Sequence, residues 1–275
     1  MMEQVLRMNL PRVDSTNNFV RDMLSFGDQL EGMTLVVAEE QTAGRGQVGN
    51  HWESEPGRNL TFSLLCHPDF VQASEQFLLS QCIALAIWQT VSEALSSYET
   101  YKSYKPHKSY KPYESYEPHT PHVSIKWPND IYVDDRKICG TLIECDLQGK
   151  HISNCIIGTG LNVNQTVFHS DAPNPVSLKQ LTGKEHDREA ILDSIVAHFQ
   201  LLYEQVLGGH SADIRKEYMQ HLYRREGFHT YRDVRGEFLA EIADIEPTGH
   251  LLLRFENGNV CRYEFKEVQF LIPHS

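Results

Sequence analysis

The chain has little positive charge. Lysine and arginine total 25 against 37 aspartate and glutamate residues, which gives a formal net charge of −12 at pH 7. Proteins that bind nucleic acid generally present a basic face to the phosphate backbone. The sequence therefore predicts no nucleic-acid partner.

Cysteine and histidine spacings typical of metal sites are also missing. The six cysteines are scattered without a C-x-x-C pair, so neither a zinc site nor a disulfide framework is expected. The 14 histidines form no H-E-x-x-H arrangement. We predict that the protein itself supplies no metal site.

A signal peptide and a long apolar run are not evident, which favours a cytoplasmic protein without a membrane partner. At 275 residues and 40% hydrophobic content, the chain can form one sizeable domain and a smaller one. Composition thus argues against nucleic-acid-binding, metal-binding and membrane proteins, but it indicates no activity. An activity has to be inferred from the sequence motifs.

Charged residues interrupt strand-like sequence in the segment 126–144, KWPNDIYVDDRKICGTLIE. Two short apolar strands flank an Asp-Asp turn, which predicts a hairpin. Lys126, Asp130 and Lys137 lie in or beside this hairpin. A buried lysine is costly unless an anion meets it, and a ligand phosphate or carboxylate could be that anion. Taken alone, the segment fits an ordinary surface hairpin with satisfied ion pairs better than it fits an anion-binding site.

A glycine-rich segment follows a predicted apolar strand. Gly44, Gly46 and Gly49 match the G-x-G-x-x-G dinucleotide fingerprint, but a helix should follow directly, and a Pro-Gly breaker in residues 51–59 argues against one. What remains is a loop whose backbone can approach an anion closely, with the planar guanidinium of Arg45 beside it.

Five motifs, in order along the first 165 residues, resemble those of the biotin protein ligases, which attach biotin to carboxylase carrier proteins. The ordered set is more specific than any single motif. The motifs are Asp14-Ser15-Thr16-Asn17, Gln41-Thr42-Ala43-Gly44-Arg45-Gly46 with Trp52, Lys126-Trp127-Pro128-Asn129-Asp130, Asp135-Arg136-Lys137-Ile138-Cys139-Gly140, and Gly158-Thr159-Gly160-Leu161-Asn162.

The resemblance implies an α+β fold. Residues 1–224 would form a catalytic domain like that of the class II aminoacyl-tRNA synthetases, a mixed sheet flanked by helices. Residues 225–275, with alternating apolar residues and an Asn-Gly turn, would form a small SH3-like β-barrel of five short strands. Because only 13 residues precede Asp14, we expect the stand-alone form without an N-terminal DNA-binding domain.

The activity that the resemblance implies is a two-step acyl transfer. The biotin carboxylate attacks the α-phosphate of Mg-ATP to give biotinyl-5'-adenylate and pyrophosphate, and a lysine of a biotin carboxyl carrier protein then displaces AMP. The first step brings two anions together, so fixed cations and oriented donors are needed. A homodimer is possible.

The resemblance also assigns roles to individual residues, none of them metal ligands. The lysine matching Lys137 bridges biotin and phosphate in the family, and Asp130 orients a lysine or accepts the proton of the carrier amine. The catalytic residues would be Lys137, Arg45, Lys126 and Asp130. Biotin would be bound by Ser15, Thr16, Asn17, Gln41, Arg45, Gly46, Gln47, Lys137 and Gly140. ATP and the adenylate would be bound by Arg45, Trp52, Lys126, Asn129 and Asn162.

Several of these residues also have structural explanations. Asp14 or Ser15 would serve as the N-cap of a helix that follows, Trp52 could be a core residue, and Gly158 could reflect tight strand packing. Gln47 departs from the family, in which a second basic residue is common, and this loss of charge is expected to weaken retention of the adenylate.

Two rival functions remain. A lipoate ligase shares the core and the adenylate chemistry but acts on another acid, and the Lys-Trp-Pro-Asn-Asp and Gly-Arg-Gly sequences favour biotin. A non-catalytic biotin or nucleotide sensor could keep the same fold. Retention of Arg45, Lys126, Asp130 and Lys137 together argues against loss of catalysis.

The rest of the chain is predicted to be structural, with one exception. Apolar spacing indicates core helices over 77–95 and over 187–206, the second ending at Gly208. Between the first of these helices and the charged segment, residues 97–120 repeat with a period of six, and residues 98–122 hold six of the 12 tyrosines. This stretch is typical of a flexible, polyproline-like insertion. A docking surface for the carrier is the alternative.

Overall fold

The structure is a computed structural model that describes residues 5–27, 30, 32–46, 51–104, 120–170 and 174–272, with the backbone alone for 98–104. Twelve strands and five helices lie in these ranges. The strands are β1 (Val5–Leu10), β2 (Met33–Ala38), β3 (Leu60–Cys66), β4 (Val123–Lys126), β5 (Asp130–Val133), β6 (Arg136–Gln148), β7 (His151–Leu161), β8 (His229–Asp233), β9 (Gly236–Ile245), β10 (Leu251–Phe255), β11 (Val260–Tyr263) and β12 (Gln269–Phe270). The helices are α1 (Thr16–Ser25), α2 (Phe77–Tyr104), α3 (Leu178–Thr182), α4 (Arg188–Leu207) and α5 (Ser211–Gln220).

The larger sheet is mixed and has the strand order β1-β2-β3-β7-β6-β5-β4. β1 runs parallel to β2, and the other neighbours pair antiparallel. β2 and β3 are buried along their whole length, as continuous apolar runs predict for strands covered on both faces. On one face, Val20 of α1 packs against Val36, Leu65 and Ile156. The other face belongs to the main core with α2 and α4. The predicted α+β fold is confirmed.

Helix α2 forms the centre of that main core. Its apolar run is long and hydrophobic enough, over Ala73–Ser97, to suit a membrane crossing by length and composition. About two thirds of this apolar stretch, 67%, is nevertheless buried inside the fold, as in the core helix of a globular protein. The apolar core helix predicted over 77–95 is therefore confirmed, and its apolar residues pack against the sheet and α4.

The other predicted helices are confirmed with small differences. The carboxylate of Asp187 accepts hydrogen bonds from the backbone N–H groups of Glu189 and Ala190 and so caps α4, which ends before Gly208. Ser15 occupies the N-cap position of α1, but its side chain makes no capping hydrogen bond.

The second sheet contains the five C-terminal strands in the antiparallel order β11-β10-β9-β8-β12. Leu251 and Leu253 point inward from β10, and Tyr231 of β8 is fully buried. The indole nitrogen of Trp127 donates a hydrogen bond to the carbonyl of Gly249, at 2.9 Å. The two sheets are therefore in contact beside the charged segment. The five strands are confirmed, and SH3-like closure of the barrel stays a prediction.

Two sequence predictions need correction. The hairpin predicted around the turn Asp134-Asp135 is confirmed as β5 and β6, but its first strand is divided by a turn at 127–129 into β4 and β5. β6 is also longer than expected and continues for 13 residues along β7. Helix α2 extends through residues 98–104, where an extended chain was predicted. The first repeat has no proline, so the helix can continue until the sequence approaches Pro106. Residues 105–119 lie outside the described residues.

Candidate active site

One strip of the larger sheet carries no side chains, because glycines meet there on neighbouring strands. Gly140 of β6 pairs with Gly160 of β7, and Gly158 lies two residues away on the same face. A Cβ atom on Gly160 would lie 2.2 Å from Cε2 of Trp52, and one on Gly140 would lie 3.0 Å from Cζ3 of the same ring. We call Gly140, Gly158 and Gly160 the glycine strip. The Trp52 indole lies directly on it, so larger residues would displace the ring.

Helix α1 contacts the same face through Asn17. A Cβ atom on Gly158 would lie only 2.1 Å from Asn17 Oδ1. Asn17 Nδ2 donates to Glu144 Oε2 at 2.8 Å, and Ser63 Oγ donates to Asn17 Oδ1 at 2.6 Å. The second carboxylate oxygen of Glu144 accepts from Arg45 Nη2 at 3.2 Å. Glu144 therefore joins the start of α1 to the glycine-rich loop.

The first turn of α1 also contacts the chain that follows β2. The backbone N–H and the hydroxyl of Thr16 both donate to Gln41 Oε1, at 2.8 and 3.1 Å. Ser15 and Thr16 are each 3% exposed, so these polar groups are held in a buried position. Within the described residues the amide N–H groups of Gln41 have no protein acceptor, which leaves them available to a ligand carbonyl.

Beyond the glycine strip, Lys137 and Asp130 form a close ion pair. Lys137 Nζ lies 2.6 Å from Asp130 Oδ2, and the two side chains are 24% and 20% exposed. The same ammonium lies 5.9 Å from the centroid of the Trp52 ring, within the range of a cation–π contact. A Cβ atom on Gly140 would lie 3.1 Å from Lys137 Nζ. Lys137 therefore borders the strip, at a position fixed by Asp130.

Lys126 lies opposite Asp130 in the β4–β5 pair but is held differently. Its ammonium lies 5.1 Å from the centroid of Tyr132 and 5.2 Å from that of Phe270. Burial lowers the pKa of Lys126, and the nearby charge of Lys137 lowers it further, against the opposing effect of Asp130. A partly desolvated lysine of this kind gains from an incoming anion.

Three residues predicted to bind the nucleotide carry buried polar atoms without a hydrogen-bond partner among the described residues. These atoms are Trp52 Nε1, Asn129 Oδ1 and Asn162 Oδ1. Native proteins leave few such groups unpaired, and those that remain are common where a ligand binds. Six further atoms of this kind belong to residues outside the predicted site. Unpaired buried polar atoms are therefore not unique to the site. Within the predicted nucleotide-binding residues, however, the tryptophan and both asparagines each carry one.

The structure brings most of the predicted residues to one face of the sheet, in two groups. Thr16, Asn17, Gln41 and Arg45 are linked on the α1 side, whereas Trp52, Lys126, Asp130, Lys137 and Gly140 are linked on the hairpin side. Gly46 is half-buried in the loop, and Gln47 lies outside the described residues.

Sequence reasoning missed Glu144 and Ser63, which orient Asn17 and Arg45. Glu144 follows Gly140 by four residues on β6 and therefore shares its face, which was the available signal for its position. Ser63 is a fully buried hydroxyl in an otherwise apolar stretch of β3. A polar residue inside such a run was the available indication.

Substituting alanine at Gly158 tests the close approach of α1. We expect Gly158→Ala to lower the free energy of unfolding by about 1–3 kcal/mol, since the methyl group must displace Asn17. Urea unfolding of Gly158→Ala, Asn17→Ala and the double variant measures this effect. If the clash is the cause, the double variant is more stable than the sum of the single losses, and simple additivity would contradict it.

The chain is similar in sequence and structure to several characterised proteins. It is 29% identical over 231 residues to the bifunctional ligase/repressor BirA of Bacillus subtilis (strain 168), spanning 82% of this chain and 62% of that protein. It is 27% identical over 254 residues to the biotin--[acetyl-CoA-carboxylase] ligase of Paracoccus denitrificans, spanning 90% and 94%. This chain thus spans about 62% of the length of the bifunctional relative.

Structural comparison gives the same picture of the fold. The structure superimposes on the biotin protein ligase from Aquifex aeolicus in complex with biotin and ATP, with a TM-score of 0.72 and 21% identity, covering 97% of this chain and 99% of that one. A family model described as the biotin/lipoate A/B protein ligase family matches residues 10–162, which include the glycine-rich loop, the charged segment and the glycine strip. These residues make up more than half of the sequence, and the chain belongs to the biotin/lipoate A/B protein ligase family.

Proposed function

We propose that this chain activates biotin with ATP and transfers it to a lysine of a biotin carboxyl carrier protein. The observation that carries the proposal is the arrangement around the glycine strip. A strip of glycines, which the Trp52 indole covers in this structure, lies beside the paired cation Lys137. The predicted nucleotide residues Trp52, Asn129 and Asn162 carry unpaired buried polar atoms.

Biotin would lie along the glycine strip, with its polar ring at the α1 end. There, Gln41 offers amide N–H groups, and Thr16 is held by the hydrogen bonds that its backbone N–H and hydroxyl donate to Gln41. The Trp52 indole covers the strip in this structure, so the ligand would take over its contacts with Gly140 and Gly160. This placement leaves the carboxylate of biotin near Lys137.

In the first step, a biotin carboxylate oxygen attacks the α-phosphorus of ATP while the bond from that phosphorus to the bridging oxygen of pyrophosphate breaks. Negative charge accumulates on the α-phosphate oxygens. The ammonium of Lys137 is already positioned by Asp130, so little reorganisation is needed when this charge develops. Lys126 supplies a second cation, and the charge-assisted hydrogen bonds of Arg45 would shift from Glu144 towards the ligand.

In the second step, the carrier amine attacks the acyl carbon, the bond to AMP breaks, and the amine loses a proton. Asp130 is the carboxylate next to Lys137 and is therefore the candidate acceptor of that proton. Mg²⁺ would arrive on the ATP phosphates, as is usual for nucleotide substrates. Within the described ranges, no three histidine, cysteine, aspartate or glutamate side chains are arranged to hold a metal ion.

Exchange of labelled pyrophosphate into ATP tests this function most directly. Since adenylate formation is reversible, the wild-type chain should incorporate label only when biotin, ATP and Mg²⁺ are all present. Lipoic acid in place of biotin is the matched control, because lipoate ligases belong to the same family.

Each outcome of that assay has a clear meaning. Label incorporation with lipoic acid but not with biotin would replace the proposed substrate. Biotin binding by calorimetry without exchange would instead favour a non-catalytic sensor. Biotin-dependent exchange followed by labelling of a carrier domain on its lysine would support both proposed steps.

A further inference from the structure

Lys126 is held between aromatic rings that come from the two different sheets. Tyr132 belongs to β5 of the larger sheet, at 5.1 Å from the ammonium, and Phe270 belongs to β12 of the C-terminal sheet, at 5.2 Å. Both distances are within the range of attraction between a cation and the face of an aromatic ring. In the described part of the chain, this ammonium makes no hydrogen bond or ion pair, so the two rings are the contacts that flank it.

Phe270 is itself fixed from several sides. It pairs with Tyr231 of β8, and the two rings form an edge-to-face contact at 4.9 Å. Arg224 donates to the carbonyls of Thr230 and Leu271, at 3.2 and 2.8 Å, which ties the end of β12 to β8. A ring held this firmly can restrain a flexible lysine side chain, which otherwise loses rotamer freedom when it binds an anion.

The charged groups around Lys126 do not provide an equivalent restraint. Asp130 attracts the ammonium through space but is paired with Lys137 at 2.6 Å. Lys137 and Arg224 both repel it. Tyr132 stays neutral at physiological pH, since burial raises its pKa well above the usual range. The charge of Asp130 favours a charged Lys126, and the rings of Tyr132 and Phe270 are the contacts that can fix where its ammonium lies.

We propose that Phe270 is a positioning residue that holds the Lys126 ammonium where the phosphates of ATP bind, so that the C-terminal sheet contributes to nucleotide binding. This inference rests on the proposed function. It adds that the ring of Phe270 orders Lys126, one of the cations proposed to bind the ATP phosphates. A free Lys126 would have to be immobilised by ATP at the expense of affinity.

Steady-state exchange kinetics of Phe270→Leu test this role. The leucine keeps apolar volume but removes the ring face, and we expect the KM for ATP to rise about ten-fold, as loss of a desolvated cation–π contact implies. The KM for biotin should change less than two-fold. Phe270→Tyr retains a ring and should restore the KM for ATP to within about two-fold of wild type.

Phe255→Leu is the matched control. Phe255 is also an aromatic residue of the C-terminal sheet, packed against Phe238 with ring centroids 5.0 Å apart. It should lower thermal stability at least as much as Phe270→Leu without changing the KM for ATP. An unchanged KM for ATP in Phe270→Leu, equal rises for ATP and biotin, or failure of Phe270→Tyr to restore binding would each overturn the inference.

Calorimetry with Mg-ATP alone separates this inference from the proposed function. If the wild-type chain shows no biotin-dependent exchange, the function fails, but weaker Mg-ATP binding by Phe270→Leu than by Phe255→Leu would still support the positioning role. Equal binding by the two variants, or no binding of Mg-ATP by the wild-type chain, would contradict it.

Discussion

Lys137→Ala is expected to reduce biotin-dependent pyrophosphate exchange by about 10²–10³-fold or more, the usual effect of removing one preorganised charge from a transition state. Lys137 is the cation that both borders the glycine strip and pairs with Asp130. Its loss should fall on kcat more than on the KM for biotin, because the charge it stabilises develops only during the reaction. Exchange kinetics and thermal unfolding of the purified variant measure both effects.

Two further variants test whether the loss of exchange is specific to the charge and position of Lys137. Lys150 lies in the exposed turn between β6 and β7, so Lys150→Ala should keep wild-type activity and stability. Asp130→Asn keeps the charge of Lys137 but weakens its anchor, and we expect an intermediate loss of exchange. A fully active Lys137→Ala variant would overturn the assignment of Lys137, and a variant that no longer folds would show that the ion pair is structural.

Lys126→Met is expected to lower the same exchange rate by about 10²-fold while leaving the fold intact. Methionine keeps an unbranched apolar side chain between the rings of Tyr132 and Phe270 but removes the charge. Because burial lowers the pKa of Lys126, the folded protein holds this charge at a cost. The unfolding midpoint of the variant should therefore be equal to that of the wild type or higher.

The dependence on pH follows from the same shift. A lysine whose pKa is lower when folded binds fewer protons than it does when unfolded, over the range between the lowered value and the ordinary value of 10.5. Its contribution to stability therefore increases as pH rises through that range. Comparing unfolding of Lys126→Met and wild type across this range isolates the contribution. A variant that is much less stable at neutral pH would contradict it.

Features that depend on local sequence were predicted well. Helix α4 begins at a capping aspartate and ends at a glycine, both readable from the chain. The count of strands in the charged segment was wrong, because the turn at 127–129 and the length of β6 depend on pairing with β5 and β7. Strand length is set by the neighbouring strand as much as by the residues themselves.

The residues of the site were readable only where a motif contained them. Glu144 lies 127 residues from Asn17 and 99 from Arg45, and Phe270 lies still farther from Lys126 along the chain. No local pattern predicts contacts at such separations. They arise from sheet register in the first case and from the docking of one sheet beside another in the second.

The sequence by itself determined the family motifs, the glycine positions and the cations that the chemistry requires, since these depend on residue type and spacing. The tertiary structure alone decided how they are used. The register of β6 and β7 brings Gly140 opposite Gly160, Trp52 covers the strip that results, and Phe270 restrains Lys126. These relations depend on the distance between side chains in the folded protein, which cross-strand pairing and packing determine.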